Sequence, residues 1–260
     1  MNRCRYLVTG AASGIGDAVT RGLVADGHEV VSLDRHAPVI DVAAHIPVDL
    51  GDRHSIDAAI DELDGSWDAL INVAGVPGTY PPETVFAVNF LGLRHLTESL
   101  IDRLRTGGSV VSVASTAGFR WPSHIEELTN LIVEETSFDL GAAWFAASER
   151  SEAAYSLSKE AVTIYTLHRA LYYAKRGLRI NAVLPGPVQT PILGDFEATM
   201  GKSLLDSVKS LFGRHATPQE VADVVIFLVS PNANWVNGQA IAVDRGISAA
   251  WASGVLTPPR

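Results

Sequence analysis

The sequence predicts an α/β protein: a doubly wound parallel sheet in a single domain. Short, continuously apolar runs alternate with longer amphipathic ones along the whole chain. A glycine-rich turn, TGAASGIG from Thr9 to Gly16, follows the first apolar run directly. No internal repeat or low-complexity linker interrupts the 260 residues. Continuously apolar strands are those buried on both faces, which requires helices on both sides of a parallel sheet. Right-handed crossovers then wind the sheet both ways and place ligands outside the carboxyl ends of the strands.

In order, Tyr6 to Val8 reads as a buried strand. Gly14 to Asp26 reads as a helix stopped by Gly27, where a left-handed backbone carries no Cβ penalty. Strands follow at Glu29 to Leu33 and Ile46 to Val48. Ser55 to Leu63 reads as a helix with Ser55 as its cap. A strand at Ala69 to Val73 leads into a long helix, Thr84 to Leu104, and a fifth strand, Ser109 to Val113. Ser151 to Arg176 is a second long helix closed by Gly177, and Leu178 to Leu184 a sixth strand. Thr217 caps a helix over Pro218 to Val229, and Ala240 to Val243 is the seventh strand. Residues 119–150 and 187–216 break the rhythm. Long excursions in a compact domain are usually lids or binding loops.

Composition removes several function classes. There are 29 acids and 20 bases, a net charge of −9, and no basic run longer than Lys175-Arg176. A nucleic-acid partner would need a basic face, so none is expected. The lone Cys4 excludes a disulfide framework and a thiolate zinc site. The eight histidines lack metal-ligand spacing, so no metal is expected. The N-terminus has no signal-peptide pattern, and no apolar run reaches 18 residues. A cytoplasmic setting without a membrane partner is the expectation.

Chemistry concentrates at the strand ends. Gly10, Gly14 and Gly16 allow a tight turn and close approach to a pyrophosphate, which a helix N-terminus attracts. Asp34 ends the second strand about 20 residues later, where an acid accepts bonds from ribose hydroxyls and repels a 2′-phosphate. NAD rather than NADP is therefore the expected cofactor. Tyr155 and Lys159 are four apart on a helix and share a face. A nearby ammonium favours the phenolate and would let a tyrosine act as a base. Ser115 and Asn72 end neighbouring strands at the same edge, and Asn89 sits inside a helix, where asparagine is mildly unfavourable.

As an ordered set, TGAASGIG, Asp34, Asp49-Leu50, NVAG (72–75), Asn89, Ser115, YSLSK (155–159), PGPVQTP (185–191) and Val243-Asp244 resemble the short-chain dehydrogenase/reductase family over nearly the whole chain. The resemblance implies a Rossmann-type seven-stranded fold and reversible hydride transfer between an alcohol and NAD. It implies Tyr155 as acid/base, Ser115 on the reacting oxygen, Lys159 lowering the Tyr155 pKa and holding ribose, and Asn89 supporting a relay water. Cofactor contacts are implied at Gly10, Ser13, Gly14, Ile15, Gly16, Asp34, Asp49, Leu50, Asn72, Ala74, Gly75, Tyr155, Lys159, Pro185, Val188 and Thr190.

About 40 residues separate Ser115 from Tyr155, where many members have a dozen or so. That insertion, with AGVPGT, VNFLGLRHLTE, GFRWPS and GPVQTPIL, resembles bacterial NAD-dependent dehydrogenases of coniferyl-type alcohols and 3α-hydroxysteroids. An apolar or aromatic alcohol is the implied substrate, lined by Trp121, Trp144, Ile192 and Phe196. A hydroxysteroid or cyclic secondary alcohol is the alternative, and an NAD-sensing protein without turnover a second. A homo-dimer or homo-tetramer is implied, with the usual helix-pair interface obstructed by the insertion. Val73, Ala114 and Arg245 depart from the common pattern. An arginine at positive φ would be costly, which puts the turn after the seventh strand in doubt.

Overall fold

The computed structural model describes residues 3–148, 150–200 and 202–257. Seven strands form one parallel sheet: β1 (Arg5–Thr9), β2 (Glu29–Asp34), β3 (Ala44–Pro47), β4 (Trp67–Asn72), β5 (Leu104–Val113), β6 (Arg179–Pro185) and β7 (Ala240–Val243). Their spatial order is β3-β2-β1-β4-β5-β6-β7. The winding reverses between β1 and β4, and a crevice opens there above the carboxyl ends. The doubly wound parallel sheet expected from the alternation is the fold observed.

Helices cover both faces. On one side α1 (Gly14–Ala25) packs against a late helix (Pro218–Val229) over a core that includes Val8, Ile71, Val111 and Val183. The other side carries α2 (Arg53–Asp61), α3 (Pro82–Phe86), α4 (Leu93–Leu100), the inserted α5 (Ile125–Glu134) and α6 (Phe138–Ala147), and the long α7 (Ala154–Ala174). Its core includes Leu7, Leu70, Val110 and Ile180. Beyond β6 come α8 (Leu193–Met200) and α9 (Lys202–Phe212), then α10, the Pro218–Val229 helix, and finally α11 (Ile247–Ala252). Alternate side chains of one strand thus feed opposite cores, as the period of two demands. Thr217 caps α10, as its sequence implied, and the structure adds a full capping box with Glu220.

Several boundaries differ from expectation. Asp52, not Ser55, caps α2: its carboxylate accepts from the His54 amide at 2.9 Å. The Ser55 hydroxyl turns back and accepts from the Asp49 amide at 2.9 Å. The long helix expected to run to Leu104 ends at Leu100, and Leu104 already pairs with Trp67 in β5. A register shift between Trp67 and Ala69 absorbs the extra strand length. Between α3 and α4 the chain makes a π turn, Ala87–Gly92, which carries Asn89. Such turns recur at functional sites.

The insertion folds onto the helical face. Phe145 stacks on Phe86 with ring centres 4.5 Å apart, and Trp144 lies 6.0 Å from the same ring. Arg94 of α4 is buried and donates to the Leu131 and Ser137 carbonyls at 3.4 and 2.8 Å. Arg169 of α7 donates to the Ile132 carbonyl at 3.4 Å. Guanidinium groups bonded to backbone oxygens, that of Arg94 buried and that of Arg169 half-buried, fasten the insertion to α4 and α7. Arg245 does adopt a left-handed backbone, φ 58°. Its guanidinium lies 5.4 Å from the centre of the Phe212 ring, and Asp244 accepts from the Gly246 and Ser248 amides. Those contacts hold the strained turn.

Candidate active site

The crevice at the switch point is a cavity of about 1190 Å³. Its floor is the turn after β1. Gly10 and Gly14 have φ of 71° and 56°, and a Cβ on Gly16 would sit 2.0 Å from the Gly10 carbonyl oxygen. Only glycine permits that closure. Ser13 occupies the N-cap of α1 without a side-chain capping bond. The leading N–H groups of a 12-residue helix therefore remain for an anion. Thr9 accepts from the Val73 and Ala74 amides at 3.0 and 3.1 Å, so backbone pins the NVAG loop beside the turn. Replacement of a polar side chain by Val73 leaves that arrangement intact.

Asp34 closes one end of the cavity. Its carboxylate accepts from the Ala12 amide at 3.0 Å and the His36 amide at 2.9 Å. Asp49, Leu50, Ala74 and Gly75 line the next stretch of wall, and Ile15, Pro185, Val188 and Thr190 line the remainder near the turn. Thr190 lies over the turn, where a Cβ on Gly14 would meet its methyl at 3.2 Å. These features fit an extended dinucleotide: an anion seat at a helix N-terminus, a carboxylate at the end of β2, and an apolar slot beyond β3.

Two residues expected at the cofactor lie elsewhere. Asn72 is buried under the sheet edge, where its amide donates to Thr97 at 2.9 Å, and it does not line the cavity. Gly16 acts behind the wall, through the turn's geometry. Asn89 is also buried. It accepts from the Val76 amide at 2.8 Å and donates to the Val76 carbonyl at 3.0 Å. In this geometry it fixes the cavity wall at Val76.

At the other end Ser115, Tyr155 and Lys159 converge. Ser115 follows the end of β5 by two residues and caps the turn Thr116–Gly118, accepting from the Ala117 amide at 3.1 Å. That turn lies against α7: a Cβ on Gly118 would come within 2.9 Å of the Lys159–Glu160 backbone. The close approach brings Ser115 to Tyr155 although 40 residues separate them. Burial pushes the Tyr155 phenol up to about 12, and a hydrogen bond with Ser115 opposes that. Lys159 is buried as well, and burial lowers it to about 8. Its ammonium donates to the Val113 carbonyl at 3.1 Å and lies 5.7 Å from the Tyr155 ring centre. At Tyr155 the contact that opposes burial is the hydrogen bond with Ser115.

The substrate wall differs from expectation in part. Ile192 and Phe196 line the cavity, and Phe196 meets the Tyr155 ring edge-on at 5.1 Å. Trp121 and Trp144 do not line it. They pack against the core of the helical face. The aromatic surface comes instead from Phe119, Tyr80 and Trp251, with Phe119 and Trp251 edge-to-face at 5.5 Å. Ile247 and Trp251 stand four apart on α11, a spacing that could have marked them as one face. His124, Glu160, Arg120 and Arg150 also line the cavity. Glu160 lies next to Lys159 in sequence, and burial raises its carboxyl while the His124 hydrogen bond opposes the rise.

Fold and cavity define a nucleotide-dependent oxidoreductase, and comparison with known proteins places it. A family model described as short chain dehydrogenase matches residues 5–125, and one described as enoyl-(acyl carrier protein) reductase matches residues 142–248. The chain belongs to the short-chain dehydrogenase family. It is 35% identical to a coniferyl-alcohol dehydrogenase of Pseudomonas sp. strain HR199, over 95% of this chain and 97% of that one. It is 31% identical to a 3α-hydroxysteroid dehydrogenase/carbonyl reductase of Comamonas testosteroni, over 94% and 96%. The crystal structure of a 3α-hydroxysteroid dehydrogenase from Pseudomonas sp. B-0831 complexed with NADH superposes with a TM-score of 0.78 at 29% identity, over 98% of this chain and all of that one.

Proposed function

We propose that the protein is an NAD-dependent dehydrogenase of apolar or aromatic alcohols, of the coniferyl type. The observation that carries this is the convergence of Ser115, Tyr155 and Lys159 on one cavity with the glycine turn and Asp34. Identity to the coniferyl-alcohol dehydrogenase and the aromatic wall of Phe119, Phe196 and Trp251 support the substrate class.

Asp34 supports NAD over NADP, because a carboxylate at the end of β2 accepts from ribose hydroxyls and repels a 2′-phosphate. The N-terminus of α1 and Ser13 would hold the pyrophosphate, and Asp49 and Leu50 the adenine. Lys159 would hold the nicotinamide ribose, and Pro185, Val188 and Thr190 would border the carboxamide. When bound, the dinucleotide supplies the two-electron chemistry, taking a hydride from the alcohol carbon or returning it. The protein's part is acid–base and positional. Ser115 and Tyr155 bind the substrate oxygen where charge develops, and Tyr155 takes or returns the hydroxyl proton. With its phenol pushed up to about 12, Tyr155 needs added positive charge to work near neutrality. The Lys159 ammonium and an oxidised cofactor ring are the charges the site would bring. Phe196 covers one edge of the Tyr155 ring and narrows the water-accessible surface beside that proton.

The test is the rate of NAD and NADP reduction with coniferyl alcohol, cinnamyl alcohol, a 3α-hydroxysteroid and cyclohexanol. Preference for NAD and for the cinnamyl alcohols supports the reading. Preference for the steroid moves the substrate to the class named by the second relative and the NADH-bound structure. Binding of NAD without turnover of any alcohol marks a sensor and overturns the reading.

A further inference from the structure

Beyond the reacting end, the cavity wall carries a side-chain pair that the proposed chemistry does not use. His124 closes the turn Trp121–His124, and its Nδ1 lies 2.6 Å from Oε2 of Glu160. The Glu160 side chain is 4% exposed and that of His124 23%. Both line the cavity that holds Ser115 and Tyr155. A carboxylate bonded to one imidazole nitrogen fixes the proton there and leaves the lone pair of the other nitrogen as an acceptor. Among the described residues, the contact with Glu160 is the one hydrogen bond of the His124 side chain.

The pair shares a cavity wall with the reacting residues. Glu160 follows Tyr155 by five positions on α7, roughly 7.5 Å of helix rise. Phe119, Phe196 and Trp251 supply the apolar wall of the same cavity, and Arg120 and Arg150 line it too. An imidazole acceptor on the wall of a cavity that also carries this apolar surface matches a substrate with a weakly acidic O–H away from its reacting carbon. Resting on the aromatic-alcohol reading above, we propose that His124, oriented by Glu160, accepts a hydrogen bond from a phenolic hydroxyl of the substrate and so selects hydroxyaryl alcohols. A far group that only accepts, such as a ketone or an ether oxygen, leaves that nitrogen unpaired. Sites built to bond a hydroxyl discriminate strongly against analogues that lack it.

The test compares kcat/KM for 4-hydroxycinnamyl, 4-methoxycinnamyl and unsubstituted cinnamyl alcohol. The wild-type protein should favour the 4-hydroxy compound over both others by about 10–100-fold, the effect of one well-placed hydrogen bond to a buried partner. In His124→Phe that ratio should fall to about 1. Glu160→Gln, an isosteric change whose amide can donate to Nδ1 as well as accept from it and so no longer fixes the tautomer, should lower it in the same direction and serves if the first variant does not fold. A wild-type ratio near 1 with all three alcohols oxidised overturns this inference alone. A high ratio that both variants retain also overturns it. Oxidation of other alcohols with no turnover of any cinnamyl compound overturns the substrate reading beneath it.

Discussion

Lys159 donates its buried ammonium to the carbonyl of Val113, two residues before Ser115 on the same strand end. The lysine thus ties α7 to β5 as well as standing beside Tyr155. Burial brings its pKa from 10.5 down to about 8. Between those values the folded protein holds fewer protons than the unfolded chain, so stability rises with pH across that window. Relative to Lys159→Met, the wild-type protein should gain roughly 2 kcal/mol between pH 8 and pH 10. Denaturant unfolding of both proteins at a series of pH values measures it, and a flat difference would remove the buried ammonium from the account.

Tyr155→Phe keeps the ring against Phe196 and removes the proton-transferring atom. Turnover should fall by about 10²–10⁴-fold, the usual contribution of a positioned acid–base group. NAD affinity, followed by titration calorimetry, should change little. Activity close to wild type would place the acid–base group elsewhere.

Asp34 bonds the Ala12 and His36 amides as well as facing the cavity. Asp34→Asn retains much of the shape and removes the charge. The ratio of kcat/KM for NAD to that for NADP should drop by about 10–100-fold, in keeping with a charge-assisted hydrogen bond of roughly 1.5–3 kcal/mol. Parallel steady-state rates with both cofactors give that ratio directly, and no change in it would count against ribose recognition by Asp34.

The tryptophans and Phe196 separate packing from substrate contact. Phe196→Ala should raise KM for an aromatic alcohol several-fold. Trp144→Ala should lower the melting temperature and leave that KM near its wild-type value. Phe145→Ala, which empties a stacked buried site, should destabilise the protein by about 3–5 kcal/mol. A KM effect of Trp144→Ala as large as that of Phe196→Ala would return the tryptophan to the cavity.

The parts of the fold readable in sequence were those with local signals. The glycine turn, Gly27, the Thr217 cap and the apolar strands each announce themselves within a few residues. Ser115 and the Tyr155–Lys159 pair were readable because strand ends and helical spacing fix their location. The insertion was not readable in this way. Its aromatic residues carry no periodic sign of which side they face, so Trp121 and Trp144 read as substrate contacts while they pack on the core. The hydrogen bond between His124 and Glu160 joins residues 36 apart. Neither one announces the other. Asn72 illustrates a third cause: a polar residue at a strand end points up to the crevice or down into the layers according to the strand's pleat, and here it meets Thr97.

The fastening of the insertion has a consequence for anyone reshaping this enzyme. Arg94 and Arg169 give their donors to main-chain oxygens of the α5–α6 region, whose side-chain identities are immaterial to those bonds. Exposed residues of that region can therefore be rewritten outside the Asp139–Arg53 and Glu127–Arg150 ion pairs. Excision is another matter, since a graft to the shorter loop of other family members would strand the buried Arg94 guanidinium, leave Arg169 with Glu98 as its partner, and lay bare Phe86. The segment is an integral keystone whose exterior is open to redesign.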